Sequence, residues 1–453
     1  MHKLIPISEY STILYQTCEH HDDEGYDEEK KILYITEESL HHLEILTNET
    51  KFAEIYHDRI RTLNYAGVAK VGSIKIEILP KFFDNDDISA DKQKIMNNLL
   101  YMLQHSNLFN FKELDSADLD IKNDFLEVMV YLFAKNLTQL LKNQQDRQYV
   151  TCEDDLRFVR EKIITQQYSS NPARLHIIPC RFHERSINTL VNQTIKFTAF
   201  LLVNLVNDQE TYRYLKYILS ILDAVDLVQI YPSDIKKIYF NRLNKSFRPY
   251  TNFCELFLRH STLTLQASNV EFFSLMIPME KLFENFITQM ILVNPAVVHQ
   301  VHPRSIQPQK FIGHLAYEDE RGLFEMKPDI IINGPETLII DTKYKILDPE
   351  DGKNKISQSD LYQMYAYCRE SGANSAVLLY PEGINYQVPD RTFKLGKDRD
   401  ITLHIKTIPL HYDLSKEEGV KEFVNQLMKT FDFLKEGTNV QMVQAIIREI
   451  PNF

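Results

Sequence analysis

At 453 residues the chain is too long for one hydrophobic core, and its length predicts two or three domains. Hydrophobic residues make up 44% and charged residues 25%, the balance of a soluble globular protein; a formal charge of -12 excludes gripping a polyanion over the whole surface. The five cysteines (Cys18, Cys152, Cys180, Cys254 and Cys368) are scattered with no C-x-x-C spacing, which argues against a disulfide framework or a cysteine zinc site and fits a reducing cytoplasm.

The N-terminus, Met1-His2-Lys3-Leu4-Ile5-Pro6, lacks the apolar core of a signal peptide, so a cytoplasmic protein is expected. Residues 1–92 predict a strand-rich region. His20-His21-Asp22-Asp23 reads as a solvated polar turn rather than a metal site. Residues 66–81 predict two strands around Gly72-Ser73, and alternation of Ile74, Ile76 and Ile78 with Lys75 and Glu77 predicts a half-buried second strand. Gly67 and Gly72-Ser73 have the spacing of a phosphate loop but no lysine follows Gly72, so no nucleotide is expected on this chain. Residues 84–91 read as an acidic linker.

Residues 93–269 read as mainly helical, with apolar periodicity over 97–104, 125–142, 188–206 and 211–222. The stretch 197–206 is the longest apolar run and is too short to span a bilayer, so no membrane partner is expected. Residues 235–248 carry Lys236, Lys237, Arg242, Lys245 and Arg248 and read as a helix whose basic face is either solvated or set against a DNA backbone.

Residues 270–453 change texture. Met279, Leu282, Phe283, Phe286, Ile287 and Met290 recur at helical spacing. Strands follow at 329–332 and 337–344, joined by the turn signal Asn333-Gly334-Pro335-Glu336. A helix is expected at 357–371, a buried strand at 375–381, and helices at 416–434 and 440–450. This order predicts an α/β core with a mixed sheet flanked by helices.

The two central strands carry Met326-Lys327-Pro328-Asp329 and Ile340-Asp341-Thr342-Lys343. Alternate strand residues share a face, so Asp341 and Lys343 project together, and the hairpin brings Asp329 towards them. Two carboxylates and an ammonium form the set that metal-assisted phosphodiester hydrolysis uses. Asp329 and Asp341, with the backbone carbonyl of Thr342, suit Mg2+ or Mn2+, and Lys343 suits the attacking water. The competing reading is a surface Asp–Lys ion pair worth under ~1 kcal/mol. Four other residues each keep two readings. Glu284 is a supporting metal contact or a solvated acid. Gln363 and Tyr367, four apart on one helix face, contact DNA phosphate or steady Lys343, or else Tyr367 is a rim core residue and Gln363 is solvated. Lys345 touches phosphate or is solvated. No G-x-S-x-G or H-E-x-x-H motif supports another hydrolytic chemistry.

These residues resemble the PD-(D/E)xK nuclease superfamily, including the Q-x-x-x-Y helix of its RecB-like branch. More narrowly, the chain resembles the McrC family, the nuclease subunits of McrBC-type modification-dependent restriction systems. The resemblance rests on Gly67-Val68, Ile76-Glu77-Ile78-Leu79-Pro80-Lys81, the run Leu156-Arg157-Phe158-Val159-Arg160-Glu161-Lys162-Ile163, Met279 with Glu284, Lys327-Pro328-Asp329 and Asp341-Thr342-Lys343-Tyr344-Lys345. Glu161 stands where the family's Arg-Gly-Lys motif has glycine. The resemblance implies a PD-(D/E)xK nuclease domain in the C-terminal third, catalytic Asp329, Asp341 and Lys343, and Mg2+ as cofactor. It implies DNA as substrate and a partner, an McrB-like AAA+ GTPase hexamer that binds GTP, reads modified cytosine and moves DNA. The N-terminal region would dock on that ring and stimulate GTP hydrolysis, which would account for an acidic nuclease. Two alternatives remain: a stand-alone RecB-like nuclease in repair or defence, and a non-cleaving adaptor of an AAA+ motor.

Overall fold

The computed structural model describes residues 3–27, 29–81, 88–106, 125–169, 174, 176–259, 272–345, 347, 356–382 and 388–434. The chain forms two compact units: residues 1–122 with 276–453, and residues 123–275.

In the first unit, the strands Tyr65–Val71 and Ile74–Leu79 pair antiparallel around Gly72-Ser73, and Gly72 takes the left-handed φ of +53° that this tight turn requires. They lie in one sheet with Lys3–Ser8, which pairs parallel with Ile74–Leu79. The expectation of a half-buried strand is corrected here: every residue of Ile74–Leu79 is buried, including Lys75 and Glu77. Lys3–Ser8 and Tyr65–Val71 flank it in the sheet, and the Glu77 carboxylate is offset by Lys92 Nζ at 2.5 Å. Burial of charge follows from that pairing, which alternation alone does not reveal. A separate five-stranded sheet contains Thr12–Cys18 and Ile32–Thr36, and the helix Glu37–Thr50 directly follows the latter strand. Of the expected acidic linker, residues 84–87 lie outside the described residues and 88–91 already belong to the helix Ile88–Gln104.

The six-stranded mixed sheet that carries the candidate site runs in the order Ser305–Pro308, Ile330–Asn333, Leu338–Thr342, Ser375–Pro381, Ile401–Ile408 and Arg391–Leu395. The first three strands are antiparallel neighbours; Leu338–Thr342, Ser375–Pro381 and Ile401–Ile408 run parallel. Strand Leu338–Thr342 is buried throughout, which explains its unbroken apolar run. The helix Gln358–Ser371 begins at Ser357, whose hydroxyl accepts from the Asp360 N–H, and ends at Gly372 with φ +74°. Its Met364, Tyr367 and Cys368 pack with Ile331, Ile339, Ala376, Leu378 and Leu403. The helix Met279–Val293 also touches the central strand, and Glu417–Thr430 covers Ile401–Ile408. Mixed sheets flanked by helices define an α/β architecture. The helix expected at 440–450 lies outside the described residues.

The second unit holds the helices Phe125–Asn143, Leu190–Leu202, Gln209–Ile221 and Arg248–Arg259. It also holds an antiparallel sheet of Gln148–Leu156, Ile178–Ser186 and Lys162–Ile163, which the helical periodicity did not suggest. Gln148–Leu156 is largely exposed, so no apolar alternation marks it in the sequence. Residues 235–248 are also corrected: a short helix Pro232–Ile235 is followed by turns, and the next long helix starts only at Arg248. Asn241 and Asn244 capture nearby backbone N–H groups with their side chains, offering the backbone an alternative to helix. Among the described residues no helix is long and apolar enough to cross a membrane.

Candidate active site

Two antiparallel strands set the site. Ile330 pairs with Ile340 and Ile331 with Ile339, so the register, continued by one residue, places Asp329 opposite Asp341. Ile339, Asp341 and Lys343 alternate onto the face covered by the helix Gln358–Ser371, where Ile339 enters the core and the two polar residues meet the helix's first turns. Lys343 Nζ lies 2.7 Å from Asp341 Oδ2 and donates to Gln363 Oε1 at 3.1 Å. The Gln363 amide donates in turn to the Tyr367 hydroxyl at 2.8 Å. The first carboxylate is held from another side: the Thr342 N–H and hydroxyl both donate to Asp329 Oδ2 at 2.7 Å.

Glu284 joins this group through one amide. Gln309 Nε2 donates to Glu284 Oε1 at 2.5 Å and to Asp329 Oδ1 at 3.1 Å, while Lys281 Nζ lies 2.9 Å from Glu284. Lys345 is turned away to Asp360, 2.5 Å from its Oδ2, and Asp360 also accepts from the Tyr380 hydroxyl at 3.1 Å. The structure therefore brings together Asp329, Asp341, Lys343, Gln363 and Tyr367. Glu284 stands one hydrogen-bond step away, and Lys345 sits in an ion pair at the helix start.

Electrostatics follow from burial. Asp341 is 2% exposed, and its Oδ2 has the close ionic contact to Lys343 but no aligned hydrogen bond. Burial, then the neighbouring Asp341 and Glu284, push Asp329 up to about 7. Burial also raises Asp341, against the pull of Lys343. Burial alone would lower Lys343, but Asp341, followed by Asp329 and Asp360, outweighs it and holds the ammonium above its usual range. Two crowded, buried carboxylates that resist ionising together are a donor set suited to a hard divalent cation. Among the described residues, no three acid, histidine or cysteine side chains are gathered to hold an ion on their own. A cation here would rest on two carboxylates, a carbonyl and water, as Mg2+ commonly does.

Gln309 and Asp360 were not singled out in the sequence. Gln309 follows Pro308 at a strand end with no motif around it. Asp360 did have a signal, because Ser357-Gln358-Ser359-Asp360 fits a helix-start pattern. Away from the site, Glu161 has φ +52°, the conformation glycine favours, and is held by the His183 N–H at 3.0 Å and the His183 ring nitrogen at 2.9 Å.

A model of a protein family described as McrBC 5-methylcytosine restriction system component matches residues 60–381. No curated protein matches the sequence significantly. Two solved structures from Thermococcus gammatolerans are similar in fold. A half-complex from a tetradecameric assembly of McrB AAA+ hexamers with bound McrC includes a chain that aligns with a TM-score of 0.63 and 19% identity, over 94% of this chain and 100% of that one. A cryo-EM structure of the McrBC complex aligns with a TM-score of 0.51 and 20% identity, over 65% of this chain and 88% of the other.

Proposed function

Because the chain belongs to the McrBC 5-methylcytosine restriction system component family, we propose that it is the metal-dependent DNA endonuclease subunit of a GTP-driven restriction complex. It would cut methylated foreign DNA and stimulate the GTPase of an AAA+ partner ring. The similar archaeal structure contains McrB AAA+ hexamers with bound McrC, and this supports the choice of partner. The observation that carries the nuclease reading is the convergence of Asp329, Asp341 and Lys343 at the end of a buried strand pair, which supports reading the domain as a PD-(D/E)xK core.

In this reading Asp329, Asp341 and the Thr342 carbonyl hold Mg2+, with Mn2+ as a substitute, and Glu284 supports them through Gln309. The bound cation supplies Lewis acidity to the scissile phosphate and lowers the pKa of a bound water. Lys343 would orient the attacking water and offset the negative charge that develops on the phosphate. Gln363, steadied by Tyr367, fixes the ammonium so that it does not swing away with its flexible stem. Thr342 fixes Asp329 through two hydrogen bonds, so this carboxylate needs little reorganisation when the ion binds.

The test mixes the purified chain, its AAA+ partner, methylated DNA, GTP and Mg2+. Cleavage is expected only in the full mixture and not with EDTA. Cutting by the chain alone with Mg2+ and no nucleotide would replace the proposal with a stand-alone nuclease. Absence of cleavage under every condition, with GTP hydrolysis still stimulated, would replace it with a non-cleaving adaptor.

A further inference from the structure

The second unit contains a surface that departs sharply from the charge of the whole chain. Between residues 231 and 248 lie five cations, Lys236, Lys237, Arg242, Lys245 and Arg248, and one acid, Asp234, in a protein whose formal charge is -12. All five cations are exposed. Among the described residues, only Lys237 has an ion pair within this group, to Asp234 at 2.8 Å. Interleaved with them are Tyr239, 82% exposed, and Leu243, 76% exposed, the most exposed large hydrophobic side chains among the described residues.

This surface is built rather than loose. Asn244 is buried; its amide donates to the Tyr239 carbonyl at 3.2 Å, and its Oδ1 accepts from the Asn241 N–H at 2.7 Å. Asn241 Oδ1 accepts from the Leu243 N–H at 2.7 Å. From the end of the helix Phe125–Asn143, Gln144 donates to the Leu243 carbonyl and accepts from the Ser246 hydroxyl. Buried Ile235 and Phe247 pin the segment at both ends. The exposed cations Lys142 and Arg147 flank Gln144 in sequence. Much of the cost of ordering this backbone is met before any ligand arrives.

Exposed cations alternating with an exposed ring and an aliphatic side chain, on a pre-ordered backbone, match the requirements of a nucleic acid strand: phosphates for the charges and base or sugar faces for the apolar groups. We propose that residues 231–248 form a DNA-gripping surface remote in sequence from the candidate active site, with Lys236, Arg242 and Lys245 on phosphates and Tyr239 stacking on a base. The proposal rests on the reading of this chain as a DNA-acting subunit. It resolves the charge problem locally, since one unit carries a basic face while the chain as a whole stays acidic.

The test is equilibrium binding of the full chain to a labelled 20-nucleotide single strand and its duplex, in EDTA so that nothing is cut, over a salt series. The triple variant Lys236→Gln, Arg242→Gln, Lys245→Gln is expected to lower the slope of log affinity against log salt by about 2 to 3, since each phosphate no longer neutralised takes away roughly 0.7 to 0.9. Tyr239→Ala is expected to weaken the single strand at least about fivefold and the duplex less. A control triple, Lys30→Gln, Lys31→Gln, Lys51→Gln, removes the same charge elsewhere and should leave the slope unchanged. Equal slopes for wild type and the 236/242/245 variant would overturn the proposal. So would intact DNA binding with failed capture of the AAA+ partner, which would assign the surface to that protein. Cleavage by the assembled complex, measured separately, shows whether the nuclease reading stands when this one fails.

Discussion

Glu9 shows how one buried carboxyl links the N-terminal strands to the site. It is 3% exposed, accepts from the Tyr344 hydroxyl at 2.6 Å and from the Lys81 N–H at 2.8 Å, and its Oε2 has no hydrogen-bond partner. Tyr344 directly follows Lys343, and its ring lies 5.8 Å from that of Phe283 on the helix carrying Glu284. Burial pushes Glu9 up to about 7, against hydrogen bonds from Tyr344 and Lys81 that pull it down. The folded chain therefore keeps a proton that the unfolded chain releases between about pH 4.5 and 7. Folded stability should fall as pH rises across that window, by on the order of 3 kcal/mol at most from this group. Glu9→Gln keeps an acceptor for Tyr344 and should flatten the dependence of melting temperature on pH between 5 and 8. An unchanged slope would mean that Glu9 ionises normally. At the same scale, Gln363→Ala frees the Lys343 ammonium and should lower the cleavage rate by roughly 10-fold or more without changing DNA affinity, as expected for a group that orients a transition-state interaction. A matched loss of affinity would make Gln363 a binding residue instead.

At the scale of elements, the central hairpin was the most legible part of the chain. Its two apolar runs, the Asn333-Gly334-Pro335-Glu336 turn and the i, i+2 spacing of Asp341 and Lys343 carry the register in local sequence, and the structure places those side chains together. Residues 235–248 were misread because cations spaced along a chain imitate a helix face, while the Asn241 and Asn244 side chains divert the backbone. The sheet around Gln148–Leu156 was invisible for the opposite reason: long-range pairing with Ile178–Ser186 stabilises it, with little burial to imprint a pattern. Glu77 and Gln309 take their roles from partners distant in sequence, among them Lys92 for Glu77 and Glu284 for Gln309. The strand Leu338–Thr342 should be the least tolerant element, being buried on both faces. Ile339→Ala, at a site with no exposure, should cost about 2–5 kcal/mol and lower the melting temperature measurably. Ser357→Ala at the helix cap should cost only about 1 kcal/mol. The reverse ranking in denaturant titrations would contradict this packing account.

At the scale of the molecule, one unit joins the N-terminal strands to the mixed sheet carrying the candidate site, and the other carries the basic surface at 231–248. The crowded pair Asp329 and Asp341 makes metal and protons competitors, since burial and mutual repulsion hold Asp329 near 7. Added Mg2+ should raise the melting temperature, by about 2.7 kcal/mol of stability at 100 times its dissociation constant. The gain should be larger at pH 8 than at pH 6, because more of the carboxylate is free to bind. It should vanish in Asp341→Asn. Stabilisation equal at both pH values and retained in that variant would place the ion elsewhere. The chemistry proposed for this chain resides in three side chains. The most direct measurement is therefore a paired assay of Asp341→Ala and Lys343→Ala in the reconstituted complex, reading DNA cleavage and GTP hydrolysis from the same tube. Cleavage reduced by about 100-fold or more in both variants, with stimulated GTP hydrolysis at the wild-type level, is the predicted result. Cleavage at the wild-type rate in either variant would contradict the assignment of the catalytic centre.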